Sequence, residues 1–409
     1  MQINEKQPDE LSRLLETAGE FIFRSRAEEY WAGCAAEVRE ELCRSAVQYR
    51  LEPFFYYYLW KVLPPERKTE FQKAGRAVSQ NSLPLFHQFD SIRKLLNENS
   101  IRFVPFKGAE LAREVYPDLS LRLMGDLDIL IHPGDIDRAI ALLRADGWTG
   151  DEFRYDHHFA PLERKGVNVE IHFDLPGFHS EEPAQFWKEC RKTGNAEEHR
   201  LSPELNLLLQ VAHAAGHEWH NGMKLLLDLA FLIRRETIDW NRVELLAKRF
   251  GVLSPAPLFA VVPELFRHAP GLPEFRGEIP EAIRNDFLAL LGENCVFPQS
   301  SWLILMNEPG RFSPKWWRTR LKGLRPQVLY VRYHLEKGHP WQLFLCACRE
   351  GFLDVGFLAV LLLGRHGGVL GAGQGVFAVR SLRKRQEPQM QSYLKRRTHI
   401  KHFFEGFRQ

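Results

Sequence analysis

Hydrophobic and polar positions alternate most strictly over Val167–Phe173. Val167, Val169, Ile171 and Phe173 make an apolar face, and Asn168, Glu170 and His172 a polar one, the period of a half-buried strand. A second strand is predicted over 126–131 (DLDILI). Successive strand side chains point to opposite faces, so Asp126 and Asp128 share one face, opposite Leu127 and Ile129. The apolar run from Ile101 to Phe106 predicts a strand that turns at Lys107-Gly108 into a helix, Ala109–Tyr116, ended by Pro117. Ile136, Ala139, Ile140, Leu142 and Leu143 recur at helical spacing. They predict a helix from Ile136 to Asp146, capped by Asp135 and stopped by Gly147. Tyr155–Phe159 begins a further strand.

The flanks read as helical. Residues 9–98 carry helical periodicity, broken at Pro64-Pro65. Leu83, Leu85, Phe86, Phe89, Ile92, Leu95 and Leu96 fall close to one stripe of a helix from about Glu66 to Asn99. The aromatic run Phe54–Leu63 (FFYYYLWKVL) reads as hydrophobic core, with a base-stacking platform as the rival reading. Ser202 as N-cap and Pro203 at the first helical position open a new helix. Asp239-Trp240 starts another, stopped at Gly251. The predicted fold is α+β, a small mixed sheet between helical N-terminal and C-terminal regions. The predicted divisions are residues 1–99, 100–200, 201–340 and 341–409.

Two carboxylates beside a buried apolar run are costly without a positive charge between them. A divalent cation supplies that charge, and oxygen-only ligands favour Mg2+, with Mn2+ as the other ion of this class. If the strand of Glu170 lies beside that of Asp126 and Asp128, the three carboxylates form a triad able to hold two metals for in-line phosphoryl or nucleotidyl displacement. The backbone N–H groups that follow Lys107-Gly108, together with the lysine, make a phosphate cradle; a solvated lysine at a plain turn is the competing reading. Arg122 is placed to pair with Asp126 or Asp128, or with a triphosphate. His172 is either a partner that backs up the metal site or a surface histidine. Only one of His157 and His158 is expected to face the site. His213 and His217 stand at i, i+4, but Ala214 occupies the place of the glutamate of a zinc helix, which argues against zinc.

Phe106-Lys107-Gly108 with its following helix, Arg122, Asp126-x-Asp128, His157-His158 and Val169-Glu170-Ile171-His172 together resemble a bacterial nucleotidyltransferase family described as uncharacterised. It belongs to the superfamily with the DNA polymerase beta-like palm. The resemblance runs from about residue 25 to 340 and is sharpest over 100–175. One departure from the wider superfamily is that Lys107-Gly108 replaces the usual Gly-Ser at the first helix. The resemblance implies a magnesium-dependent, nucleotide-binding transferase that moves a nucleoside monophosphate from a nucleoside triphosphate, ATP among the candidates, to a hydroxyl-bearing acceptor. It implies catalytic and metal-binding roles for Asp126, Asp128 and Glu170. It implies substrate contacts for Lys107, Gly108, Arg122, His158 and His172. His213, and Lys224 and Asp228 on the helix Met223–Arg235, then flank the nucleotide side of the cleft. Small molecules, peptides, proteins, sugars and tRNA all fit as acceptors. Two rival readings are a non-catalytic nucleotide-binding or scaffold protein with a retained palm, and an enzyme that modifies RNA or tRNA ends.

Bulk composition changes this little. With 55 basic and 52 acidic side chains the formal charge is +3, so the whole chain makes no case for nucleic acid. Local cases lie at Trp316-Trp317 among Lys315, Arg318, Arg320, Lys322 and Arg325, and in the basic tail after Arg380. The tail, with the apolar stretch Leu343–Leu370 before it, is compatible with peripheral membrane contact or RNA, or with a docked helix that has a frayed end. Six scattered cysteines without a C-x-x-C suggest reduced thiols. A polar start and the lack of a long apolar run predict a cytoplasmic protein with no integral membrane segment.

Overall fold

The computed structural model describes residues 7–151, 157–178, 183–194, 197–216, 219, 222–293, 393 and 395–407. Trp316-Trp317 and its basic neighbours, Leu343–Leu370, the start of the basic tail and His217 lie outside the described residues. Contacts divide the chain into two compact units, residues 1–150, 154–298 and 396–409 in one, and residues 151–153 and 299–395 in the other. The elements below belong to the first.

The N-terminal region is α1 (Gln7–Gly19), a π-helical turn (Glu20–Arg24), α2 (Ala27–Gly33), α3 (Ala36–Gln48), α4 (Glu52–Leu59) and the long α5 (Pro65–Glu98). Pro65 starts α5 because a proline at the first helical position forfeits no hydrogen bond. Phe54 and Phe55 on α4 are buried against Phe21, Trp31 and Phe71, so the start of the aromatic run is core. Tyr57 and Trp60 remain exposed. The C-terminal half of α5 lays Leu85, Phe86, Phe89, Ile92 and Leu96 on the sheet. Each such side chain contributes roughly 1.5–3 kcal/mol on burial. Leu83, expected on that stripe, is exposed, since two positions before Leu85 lie about 200° away on a helix.

The sheet has strands β1 (Phe103–Phe106), β2 (Leu127–Ile131), β3 (Leu162–Arg164) and β4 (Val167–His172), in the order β1-β2-β4-β3. β1 and β2 are antiparallel, β2 and β4 parallel, and β3 and β4 antiparallel. Between β1 and β2 run a short helix α6 (Gly108–Glu110) and a π-helical turn (Leu111–Val115), not one regular helix. α7 (Ile136–Ala145) crosses from β2 towards β3 and covers the same sheet face as α5, with Ala139, Leu143 and Trp148 against Ile129, Ile131, Val169 and Ile171. Asp135 does not cap α7. Its buried carboxylate accepts instead from Arg102 Nε at 2.9 Å, Arg102 N at 3.4 Å and Arg138 Nη1 at 3.4 Å, so charged donors hold it away from the helix start.

A two-stranded ribbon, β5 (Cys190–Lys192) and β6 (His199–Leu201), leads to α8 (Pro203–Gly216). Leu205 N donates to Ser202 Oγ at 3.2 Å at its start. α8 is apolar nearly all round and correspondingly buried. α9 (Gly222–Arg235) packs on it, followed by α10 (Trp240–Phe250), α11 (Ala256–Val261), α12 (Pro263–Phe266) and α13 (Glu281–Glu293). Asp239 caps α10 by accepting from Asn241 N and Arg242 N, and Gly251 ends it at φ 61°. A final helix, over 396–405 in this unit, docks Phe404 on Trp219 and Phe287, and His399 on Asp286. Among the described residues no helix is long and apolar enough to cross a membrane.

Glu110 in α6 ties the sheet to the helical region. Its buried carboxylate accepts from Arg200 Nε at 3.2 Å and from Asn206 Nδ2 at 3.1 Å. Burial raises its pKa to about 7 against the pull of Arg200, and Glu114 and Glu236 push the same way as burial. The folded protein therefore holds more protons than the unfolded chain from about pH 4.5 to about pH 7, and stability falls as pH rises through that window. Glu110→Gln should flatten this slope, removing a difference of about 2–3 kcal/mol between pH 5 and pH 8 in denaturant titrations. An unchanged slope would assign the pH dependence elsewhere.

Candidate metal and nucleotide site

The sheet face not covered by α5 and α7 carries the polar residues. Leu127 pairs with Val169 and Asp128 with Glu170 in the parallel β2–β4 ladder. Asp128 and Glu170 are therefore cross-strand neighbours on one face, and His172 follows Glu170 on the same face. On the other side of β2, Phe106 pairs with Asp128, which brings Lys107 beside it. Lys107 Nζ donates to Asp128 Oδ1 at 2.8 Å. To hold that position Lys107 adopts φ 52° and ψ −126°, a conformation that side chains disfavour. Gly108 follows in a tight place, since a Cβ there would meet Met124 Cγ at 3.2 Å and the methionine side chain would have to give by a few tenths of an ångström.

Asp128 is 3 % exposed, and His172 is fully buried. His172 Nε2 lies 3.0 Å from Asp128 Oδ1 and 3.4 Å from Glu170 Oε2. His172 Nδ1 is buried with no hydrogen-bond partner. The edge of the Phe106 ring packs against the imidazole, with centroids 4.7 Å apart and planes at 82°. Both His157 and His158 pack on His172, at 5.5 and 5.0 Å between ring centroids. The expectation that only one of the pair faces the site fails, because 157–159 is not a regular strand. His157 sits in a bend, and only His158 bridges to His172.

The charges are strongly coupled. Burial alone would raise the pKa of Asp128, but Lys107 and His172 outweigh it and hold this carboxyl well below the usual range. Burial likewise opposes ionisation of Glu170, and the contact with His172 reverses the balance, so its pKa is lowered. Asp126 goes the other way. Desolvation and the neighbouring Asp128 and Glu170 carboxylates raise it, against Lys107 and Lys224. Burial, His172 and His158 lower His157 to about 4, which leaves it neutral at pH 7. Lys224, at the start of α9, is exposed as a residue, yet its ammonium end is crowded. Desolvation and Arg122 lower it to about 8, against Asp228, Asp126 and Asp128.

Among the described residues, one group of side chains could hold a metal ion: Asp128, Glu170 and His172, whose ligand atoms lie within 4.8 Å of one another. Two carboxylate oxygens and an imidazole nitrogen fit a divalent cation. Asp126 is not in that group. It precedes β2 and stands exposed at its edge.

Two other expected site residues, Arg122 and Asp228, pair with each other. Arg122 pairs with neither Asp126 nor Asp128. Its Nε and Nη2 donate to Asp228 Oδ1 and Oδ2 at 2.7 and 2.9 Å, and Tyr116 Oη donates to Asp228 Oδ1 at 2.7 Å. The planar guanidinium matches the buried Asp228 carboxylate, whereas Asp126 stands at the rim, where water competes, and Asp128 is already engaged by Lys107 and His172. Arg122 and Asp228 thus fasten α9 to the sheet, and Lys224 lies one turn before Asp228 on the same helix face. His213 is half-buried in the last turn of α8. Sequence reasoning gave His157 no role of its own; the neighbouring His158, in a pair of adjacent histidines, was the available signal.

Residues 37–267 match a family model described as an uncharacterised nucleotidyltransferase. No curated protein and no solved structure matches the chain.

Proposed function

Because the chain belongs to this uncharacterised nucleotidyltransferase family, we propose that it moves a nucleoside monophosphate from a nucleoside triphosphate to a hydroxyl-bearing acceptor at the Asp128–Glu170 face. The observation that carries this reading is the register Asp128↔Glu170, which sets two carboxylates side by side with a lysine at their edge. Asp128 and Glu170, with Asp126 at the rim, would hold the divalent cations. When bound there, such cations lower the pKa of the acceptor hydroxyl and neutralise the leaving pyrophosphate.

The chain's own groups do the rest. The acceptor oxygen bonds to the α-phosphorus, the bond from that phosphorus to the bridging oxygen breaks, and pyrophosphate leaves with the electron pair. Glu170, ionised at pH 7, takes the acceptor's proton. Lys107 and Lys224 supply positive charge near Asp126. The test supplies each α-labelled nucleoside triphosphate with a divalent cation and cell extract, and reads labelled product and released pyrophosphate. Asp126→Asn should lower transfer at least about 100-fold with little change in melting temperature, because Asp126 is exposed and anchors no core. Transfer by that variant at the wild-type rate would overturn the reading.

A further inference from the structure

We propose that His172 Nε2 is itself a metal ligand, and that this nitrogen makes the site select a nitrogen-accepting divalent ion such as manganese over magnesium. The proposal rests on the reading of this face as a cation-dependent nucleotidyltransferase site and adds to it the identity of one ligand and the class of ion.

Geometry comes first. Donors about 2.1–2.2 Å from an octahedral ion stand about 3.0 Å apart at adjacent vertices. Nε2 is 3.0 Å from Asp128 Oδ1 and 3.4 Å from Glu170 Oε2. The first separation fits an octahedral edge as it stands, and the second needs a few tenths of an ångström. A hydrogen bond from Nε2–H to Asp128 has the same length, so distance alone does not separate a ligand from a donor.

Rigidity separates them. The imidazole is fully buried, held by the edge of Phe106 and by the rings of His157 and His158. It has nowhere to turn when a cation enters between Asp128 and Glu170. An Nε2–H would then point its hydrogen at the ion. The alternative keeps the ring neutral, with its single proton on Nδ1 and the Nε2 lone pair on the cation. Nδ1 is buried without a hydrogen-bond partner, so neither tautomer gains a bond on that side to set against the ion. The electrostatics at Nε2 decide.

Ion chemistry gives the second half. Magnesium takes oxygen almost exclusively and sheds water reluctantly, whereas manganese, although it too favours oxygen, accepts an imidazole beside carboxylates more readily. Two carboxylates and one imidazole make a mixed set that magnesium disfavours.

The experiment is a manganese titration of the full chain without nucleotide, followed by electron paramagnetic resonance, with magnesium as competitor. Pulsed measurements on the bound ion report directly coordinated nitrogen. Wild type should show histidine nitrogen coupling, changed by 15N-histidine labelling, and displacement should require at least about 100-fold more magnesium than manganese. His157→Ala and His158→Ala should keep the coupling. His172→Asn should lose it and bind manganese about 10–100-fold more weakly. Magnesium affinity should change less than about threefold. The wild-type nitrogen signal needs no variant, so a misfolded His172→Asn leaves the test intact. Bound manganese without nitrogen coupling would overturn the proposal and make His172 a hydrogen-bond donor, with the nucleotidyltransferase reading still standing. Failure of both ions to bind wild type would remove that reading's cation site as well.

Discussion

Asp128→Asn should reduce nucleotidyl transfer at least about 1,000-fold and destabilise the fold by about 2 kcal/mol at pH 7. The two effects have one origin. Asp128 is the carboxylate on which Lys107 and His172 converge, and it pairs in register with Glu170. An amide there cannot take the anionic share of a cation site, and it faces Lys107 with a dipole where a charge stood. The stability loss stays moderate because the lysine side chain is 14 % exposed and can turn to water. The pH dependence identifies the cause. Asp128 is held below its unfolded pKa, so its contribution is present above about pH 4 and is lost as pH falls through the folded value. Wild type and variant should therefore differ by a constant amount in urea titrations above about pH 5, and the difference should begin to shrink only below about pH 4. A difference that stays constant below about pH 4 as well would point to packing instead. Lys107→Met should show the same trend, since it removes the other half of the pair.

Much of this site was legible before any coordinates. The strict alternation of 167–173 is a local property, and it placed Glu170 and His172 on one polar face, where β4 puts them. The apolar stripe of α5 and the stop of α10 at Gly251 are equally local. What could not be read is everything set by pairing between distant segments. Asp126 and Asp128 look equivalent in D-x-D. The register Leu127↔Val169 makes Asp128 the buried neighbour of Glu170 and leaves Asp126 at the rim. His172 looks like a polar-face histidine. It is buried because Phe106, from another strand, and His157 and His158, from a bend, close over it. Arg122 stands four residues before Asp126, and proximity in sequence suggested a partner that tertiary packing supplies 106 positions away.

That distant partner underlies the largest expected effect on stability. Asp228→Ala should cost about 3–5 kcal/mol, the range for removing one member of a buried ion pair. Arg122 and Asp228 are each about 4–5 % exposed at the side chain, and their contact is bidentate. Truncation leaves the guanidinium without a counter-charge and the Tyr116 hydroxyl without its acceptor. With ordinary domains stable by only 5–15 kcal/mol, that is a large fraction of the whole. The double variant Arg122→Met, Asp228→Leu should recover most of the loss, because apolar groups of similar volume in a dry site replace a pair at little net cost. The coupling energy from the full cycle should exceed about 2 kcal/mol. A loss below 1 kcal/mol for Asp228→Ala alone would show that water reaches the pair. Function separates the variants further. The pair fixes α9, and with it Lys224, against the carboxylate rim. A rescued double variant that packs as well as wild type should keep transfer within about tenfold, whereas Asp228→Ala should lose activity in step with the detachment of α9. Equal inactivity in both, at restored stability, would make Arg122 or Asp228 a direct substrate contact instead of a clamp.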